Sequence, residues 1–148
     1  MVVNSPKGIF NGVRFMLWLK AFIAGFIATI VFHQGVVGLF WLMGAIPNAP
    51  WNMSAVPPLG VPQVISLAFF GGLWGVPVWW LIRRWHGAML WLSALVAGAV
   101  GPTAVAMLVV FPLKGLAVGL TTVVGGLIVN GAWGIGVVCV MRWLFKVR

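Results

Sequence analysis

Residues 21–43 read AFIAGFIATIVFHQGVVGLFWLM, an apolar run of 23 residues without a charge. A helix rises about 1.5 Å per residue and the hydrocarbon core of a bilayer is about 30 Å thick, so about 20 such residues cross it. Three more runs share this character, at 61–82, 88–111 and 116–141. In lipid every backbone polar group must find its partner within the protein, which leaves helices or a closed barrel. Barrel strands alternate polar and apolar residues over segments of about ten. These runs are long and apolar on every face. The sequence therefore predicts an all-α membrane protein, a single membrane domain over 1–148 with four transmembrane helices in a four-helix bundle.

Composition supports the same class and removes most chemistry. The chain has 63% hydrophobic residues, too many to leave a water-facing coat around a soluble core. It has no Asp or Glu, so carboxylate bases, acidic metal ligands, proton relays and side-chain salt bridges are all excluded. The single Cys139 rules out an intrachain disulfide, and no Cys or His pair has metal-site spacing. No nucleophile with a neighbouring base can be named, so an enzyme is not expected. No cofactor and no metal are expected either.

The nine Lys and Arg stand at the ends of the runs. Lys7, Arg14 and Lys20 precede the first, Arg83 and Arg84 separate the second from the third, and Arg142, Lys146 and Arg148 follow the fourth. Only Lys114 falls on the other side. The positive-inside rule places both termini and the Arg83-Arg84 turn in the cytoplasm. Trp18, Trp85, Trp91 and Trp143 fall near that boundary, as an aromatic belt would. The first run exceeds the 7–15 apolar residues of a cleaved signal peptide, and no small-x-small cleavage site follows it, so it is expected to stay as a signal anchor. With no acid in the chain, the cations meet anionic lipid headgroups at the cytoplasmic face. Each such contact is worth on the order of 1 kcal/mol. Nucleic acid is not expected, because the charges are scattered and no soluble domain presents them.

An internal repeat is visible. Gly72-Leu73-Trp74-Gly75-Val76-Pro77-Val78-Trp79-Trp80-Leu81-Ile82-Arg83 aligns with Gly131-Ala132-Trp133-Gly134-Ile135-Gly136-Val137-Val138-Cys139-Val140-Met141-Arg142. Ala21-Phe22-Ile23-Ala24-Gly25 aligns with Ala94-Leu95-Val96-Ala97-Gly98. The expected architecture is two tandem helical hairpins related by a pseudo-two-fold axis along the membrane normal. The first hairpin carries an extra segment at 44–60. Gly71-xxx-Gly75, Ala97-xxx-Gly101, Gly115-xxx-Gly119 and Gly126-xxx-Asn130-xxx-Gly134 place small residues where helix backbones approach. Pro77 and Pro102 are expected to kink their helices.

Polar groups within spans are costly and mark the place to look for function. Those at and beyond mid-depth predict a polar pocket opening outward, built from His33, Gln34, Ser66, Trp74, Thr103, Asn130 and Trp133. His33 either hydrogen-bonds to a neighbouring helix or ligates a tetrapyrrole through neutral imidazole. Asn130 can donate and accept between helices, and the indoles of Trp74 and Trp133 each need an acceptor. The segment 44–60 lies in a stretch with five prolines and no charge between Ile46 and Gln63. It is expected to form an ordered external cap in which Trp51, Met53 and Leu59 pack.

His33-Gln34-Gly35, Pro57-Pro58-Leu59-Gly60-Val61-Pro62-Gln63 and Gly71-Gly72-Leu73-Trp74-Gly75 resemble small four-span bacterial inner-membrane proteins that are generally described as uncharacterised. The resemblance covers the first two spans best. It implies a bacterial inner-membrane location and carries no activity and no functional residue. The expected function is that of a non-catalytic membrane protein, free or an accessory subunit contacting itself or other membrane subunits. A small oligomeric channel or carrier for a neutral or anionic solute is the alternative. A tetrapyrrole-binding subunit through His33 comes third.

Overall fold

The computed structural model describes the backbone of residues 6–147 and the side chains of 12–147. The side chain of Lys7, and Arg148, lie outside the described residues. Four helices follow one another. Helix α1 starts at Pro6 and runs to Ala28, continuing through a π segment, Thr29–His33, and a last stretch, Gln34–Leu42. Helix α2 is Gln63–Ile82. Helix α3 is Gly87–Val105, prolonged by a π segment, Ala106–Val110, and by Phe111–Leu113. Helix α4 is Leu120–Cys139 followed by a third π segment, Val140–Leu144. All four are long and apolar enough to cross a membrane, with mean hydropathy between 1.7 and 2.2.

Several boundaries differ from the sequence-based ones for identifiable reasons. Helix α1 extends below residue 21, so Arg14 and Lys20 lie on it rather than before it. Long cationic side chains can lay their methylenes along an apolar helix while the charge reaches outward. Residues 116–119 belong to the turn before α4, where Gly115 takes φ +66° and Gly119 is extended. Val61 and Pro62 form a two-residue strand, β2, which pairs antiparallel with β1 (Ala55–Val56) and takes them out of α2. Pro77 and Pro102 sit inside continuous helices and end neither.

Helix α1 packs along α2, and α3 along α4, each pair joined by close backbone contact at small residues. A methyl group on Gly25 would stand 3.0 Å from Gly75 Cα and collide with the Gly71 carbonyl. One on Gly98 would stand 2.7 Å from Gly134 Cα and 2.8 Å from the Asn130 carbonyl oxygen. Conversely, Gly75 faces the Ala21 carbonyl, and Gly134 faces the Ala94 carbonyl. Gly72 lies under the Phe22 ring, and Gly131 under the Leu95 side chain. These four contacts in each pair connect residues at fixed offsets. Gly25 and Gly98 are 73 residues apart, as are Ala21 and Ala94, or Phe22 and Leu95. Gly75 and Gly134 are 59 apart, as are Gly71 and Asn130. The connection at 43–62 exceeds the one at 114–119 by 14 residues, which accounts for the difference between the offsets. Between apolar helices in lipid, dispersion at such close approach replaces burial from water as the attraction.

The two helix pairs then meet along α1 and α4. Ala21, Ala24 and Ala28 of α1 are fully buried against a layer that includes Val137, Val138 and Met141 of α4. Gly136 lies beneath the Phe32 ring and the Ala28 methyl. Most other large apolar side chains point outward, with Leu108 77% and Phe70 58% exposed. A water-soluble monomer does not carry such a surface.

Candidate functional site

The polar residues singled out by sequence form three separate clusters rather than one pocket. The first stands in the C-terminal part of α1. Trp51 donates its indole N–H to the Ile30 carbonyl at 2.8 Å, and its backbone N–H to Gln34 Oε1 at 2.8 Å. Ile30 lies within the π segment Thr29–His33, and such wide turns present carbonyls to side chains. Gln34 is buried, and its amide nitrogen lies 3.3 Å from His33 Nδ1. That is a hydrogen bond in the tautomer protonated at Nε2. Gly38 leaves room for Pro50, whose Cγ is 3.3 Å from where a methyl would sit.

This cluster fixes the proline-rich connection. Trp51 adopts φ +52°, a left-handed conformation unusual for an aromatic residue, and is held there by its two bonds. Beyond it, Ser54 N–H donates to Asn52 Oδ1, and Gln63 N–H to the Ser54 carbonyl. The segment is thus ordered, as the prolines imply. The packing expected of Met53 and Leu59 is absent, since these side chains are 66% and 82% exposed. The turn between β1 and β2 directs Leu59 outward. Only Trp51, with Pro50, docks on α1.

The second cluster lies in the core. Trp133 is 2% exposed and donates its indole N–H to the Gly25 carbonyl at 3.0 Å. Thr29 donates its hydroxyl to the same oxygen at 2.9 Å. Gly71 makes room for that hydroxyl. A single carbonyl therefore ties α1 to α4 at the point where α2 approaches most closely. The third cluster joins α3 to α4, with Asn130 Nδ2 donating to the buried Thr103 Oγ1 at 2.9 Å. Ser66 is half-buried on α2 and belongs to none of the three. One buried donor, the indole of Trp79, has no acceptor among the described residues.

Trp74 has a different environment from Trp133. It lies at one end of a cleft of about 660 Å³ between α2 and α3, open to the side. Pro77, Leu81, Ala97, Val100 and Gly101 line its walls, and Trp85 and Met89 its other end. The Trp74 ring stands 3.2 Å from where a methyl on Gly101 would project. Ser93 is the polar side chain in an otherwise apolar lining. Sequence reasoning expected a polar cavity at the outer side. The cleft is apolar instead, and it begins at the Arg83-Arg84 turn.

Two features were missed, the first because the first span was taken to start at residue 21. Leu17-Trp18-Leu19 matches Leu90-Trp91-Leu92 at the same offset of 73, lengthening the echo toward the charged boundary. Both tryptophans meet the end of a neighbouring helix. The Arg83 guanidinium lies 5.4 Å from the Trp18 ring centroid, a cation–π contact, and the Trp91 and Trp143 rings are 6.2 Å apart. The Gly25 carbonyl is the other omission, since no residue type marks a backbone acceptor.

Among the described residues no group of three or more His, Cys, Asp or Glu could hold a metal ion. No protein-family model matches the chain, and it has no significant match among curated proteins or solved structures.

Proposed function

We propose that this chain is a non-catalytic integral protein of the bacterial inner membrane, working free or as an accessory subunit of a larger membrane complex. The observation that carries this reading is how the intramembrane polar groups are used. Trp133 and Thr29 satisfy one carbonyl, Asn130 satisfies Thr103, and Gln34 satisfies Trp51 and His33. Each of these contacts holds a helix or the external connection in place. None leaves a nucleophile beside a base. The cations at the helix ends support an orientation with both termini and Arg83-Arg84 in the cytoplasm.

The same reading includes the architecture. The paired contacts at offsets of 73 and 59 support descent of the two hairpins from one duplicated hairpin. A pseudo-two-fold axis along the membrane normal would relate them, bringing Trp74 onto Trp133 and Arg83 onto Arg142.

Native mass spectrometry of the protein extracted from its own membrane tests the function. The expected spectrum shows the chain alone or with other membrane subunits, and no pigment mass. A bound tetrapyrrole lost on His33→Phe, or a homo-oligomer that passes solute in vesicles, would replace this reading. Single-cysteine labelling in a Cys139→Ala background tests the orientation. Positions 85 and the C-terminus should label from the cytoplasm and position 54 from outside, and the reverse pattern would invert the topology.

A further inference from the structure

The cleft between α2 and α3 has a counterpart that is closed. Under the offsets that relate the two hairpins, Trp74 corresponds to Trp133, Pro77 to Gly136, Ala97 to Ala24 and Gly101 to Ala28. The second member of each pair is buried where α1 meets α4. There, Gly136 allows the Phe32 ring and the Ala28 methyl to close the gap. On α2 the pyrrolidine ring of Pro77 occupies that position and is exposed at the cleft wall. On α3, Gly101 removes the methyl that would fill the space. The same helix surfaces thus seal one junction and leave the other open.

The dimensions of the opening select an occupant. From Met89 to Gly101 the cleft follows α3 for 12 residues, about 18 Å at 1.5 Å per residue. One leaflet of a bilayer is about 15 Å of hydrocarbon, half of the 30 Å core. Gly101 lies near the middle of the span Gly87–Leu113, so the cleft stops at mid-depth. A second transmembrane helix would need the full thickness. The space suits an acyl chain.

The mouth of the cleft supplies the headgroup site. Leu81 and Trp85, which line it, flank Arg83 and Arg84. Arg83 is turned onto the Trp18 ring, whereas Arg84 is exposed, and the chain holds no carboxylate side chain to pair with it. A lipid phosphate at this level provides the missing counter-charge.

We infer that the α2–α3 cleft holds one acyl chain of an anionic phospholipid from the leaflet on the Arg83-Arg84 side, with its phosphate at Arg84. The inference rests on the membrane reading above and gives that protein a specific lipid partner.

Native mass spectrometry of the full chain in detergent, offered phosphatidylglycerol or phosphatidylcholine with identical acyl chains, tests it. The wild type should retain one phosphatidylglycerol in preference to phosphatidylcholine by about fivefold, the factor equivalent to about 1 kcal/mol for one basic residue near the lipid phosphate. Arg84→Gln should abolish the preference and leave phosphatidylcholine retention unchanged. Val100→Trp, whose larger ring would fill the cleft from an exposed position, should lose both lipids. Leu108→Trp, exposed on the same helix away from the cleft, should lose neither and serves as the control for folding. Retention by Val100→Trp equal to wild type would overturn the site, and equal retention of the two lipids by wild type would overturn the headgroup contact. A dimer that Val100→Trp dissociates would give the cleft to a second copy instead. A solute or pigment lost on His33→Phe, with lipid still lost only on Val100→Trp, would unseat the non-catalytic reading and leave the lipid site standing.

Discussion

The junction of α1 with α4 and that of α2 with α3 are made from matching stretches of sequence and reach opposite outcomes. In the first, Ala24 and Ala28 are fully buried, and Trp133 is sealed in with its indole bonded across to Gly25. In the second, Ala97 and Gly101 line an open cleft, and Trp74 stands at its end. Within each hairpin, by contrast, four close contacts at small residues match position for position. Close backbone approach through Gly25–Gly75 and Gly98–Gly134 defines the hairpins. Side-chain differences between the junctions include Pro77 for Gly136, Gly101 for Ala28 and Val105 for Phe32.

The largest effects should fall on the shared contacts. Gly75→Leu and Gly134→Leu should each abolish the folded state, because the new side chain meets backbone that cannot turn aside. The milder Gly75→Ala and Gly134→Ala should each cost about 1–3 kcal/mol, the usual range for overpacking. Thermal unfolding in detergent measures both, and the two members of each pair should agree. Tolerance of one with loss of the other would break the equivalence of the hairpins.

The junctions themselves should respond unequally. Ala28→Leu adds volume at a site with no exposure and should lower stability by about 1–3 kcal/mol. Gly101→Leu projects toward the cleft and the edge of the Trp74 ring, and should cost less than about half of that. Equal losses in the same unfolding assay would mean that the cleft closes in the membrane.

Smaller again is the contrast between the two tryptophans. Trp133→Phe removes the donor to the Gly25 carbonyl and should cost about 1–2 kcal/mol, at the upper end for a hydrogen bond between helices in lipid. Trp74→Phe should cost about 0.5 kcal/mol or less, because the ring keeps its contact with Gly101 and gives up no comparable bond. Smallest is His33→Phe. It deletes a long contact at 3.3 Å while Gln34 keeps its bond to Trp51, so a loss below about 1 kcal/mol is expected. A greater loss would mean that the C-terminal part of α1 matters as much as the core.

The helices were legible because 23 uncharged residues in a row admit little else. The hairpin contacts were partly legible too. The Gly-Trp-Gly echo at 72–75 and 131–134 and the Ala-x-x-x-Gly echo at 21–25 and 94–98 carry the residues that touch. The grouping of the polar residues was not. Membership of a span gives depth but not direction. Thus Trp133 finds a backbone carbonyl on α1, Asn130 a hydroxyl on α3, and His33 its own neighbour Gln34. The cleft was invisible for a related reason. It arises where Gly101 leaves space unfilled and Pro77 replaces the glycine that lets the other junction close, and an empty space has no residue type.

Disulfide trapping in native membranes, with Cys139 replaced by Ala, tests the unequal junctions most directly. Ala28→Cys with Gly136→Cys joins positions whose methyl groups would stand 3.0 Å apart, close enough for a bridge after slight relaxation. Gly101→Cys with Pro77→Cys joins the corresponding positions across the cleft. The account predicts that the first pair locks rapidly under mild oxidant and the second stays reduced. Locking of both pairs at the same rate, or of the second pair alone, would contradict it.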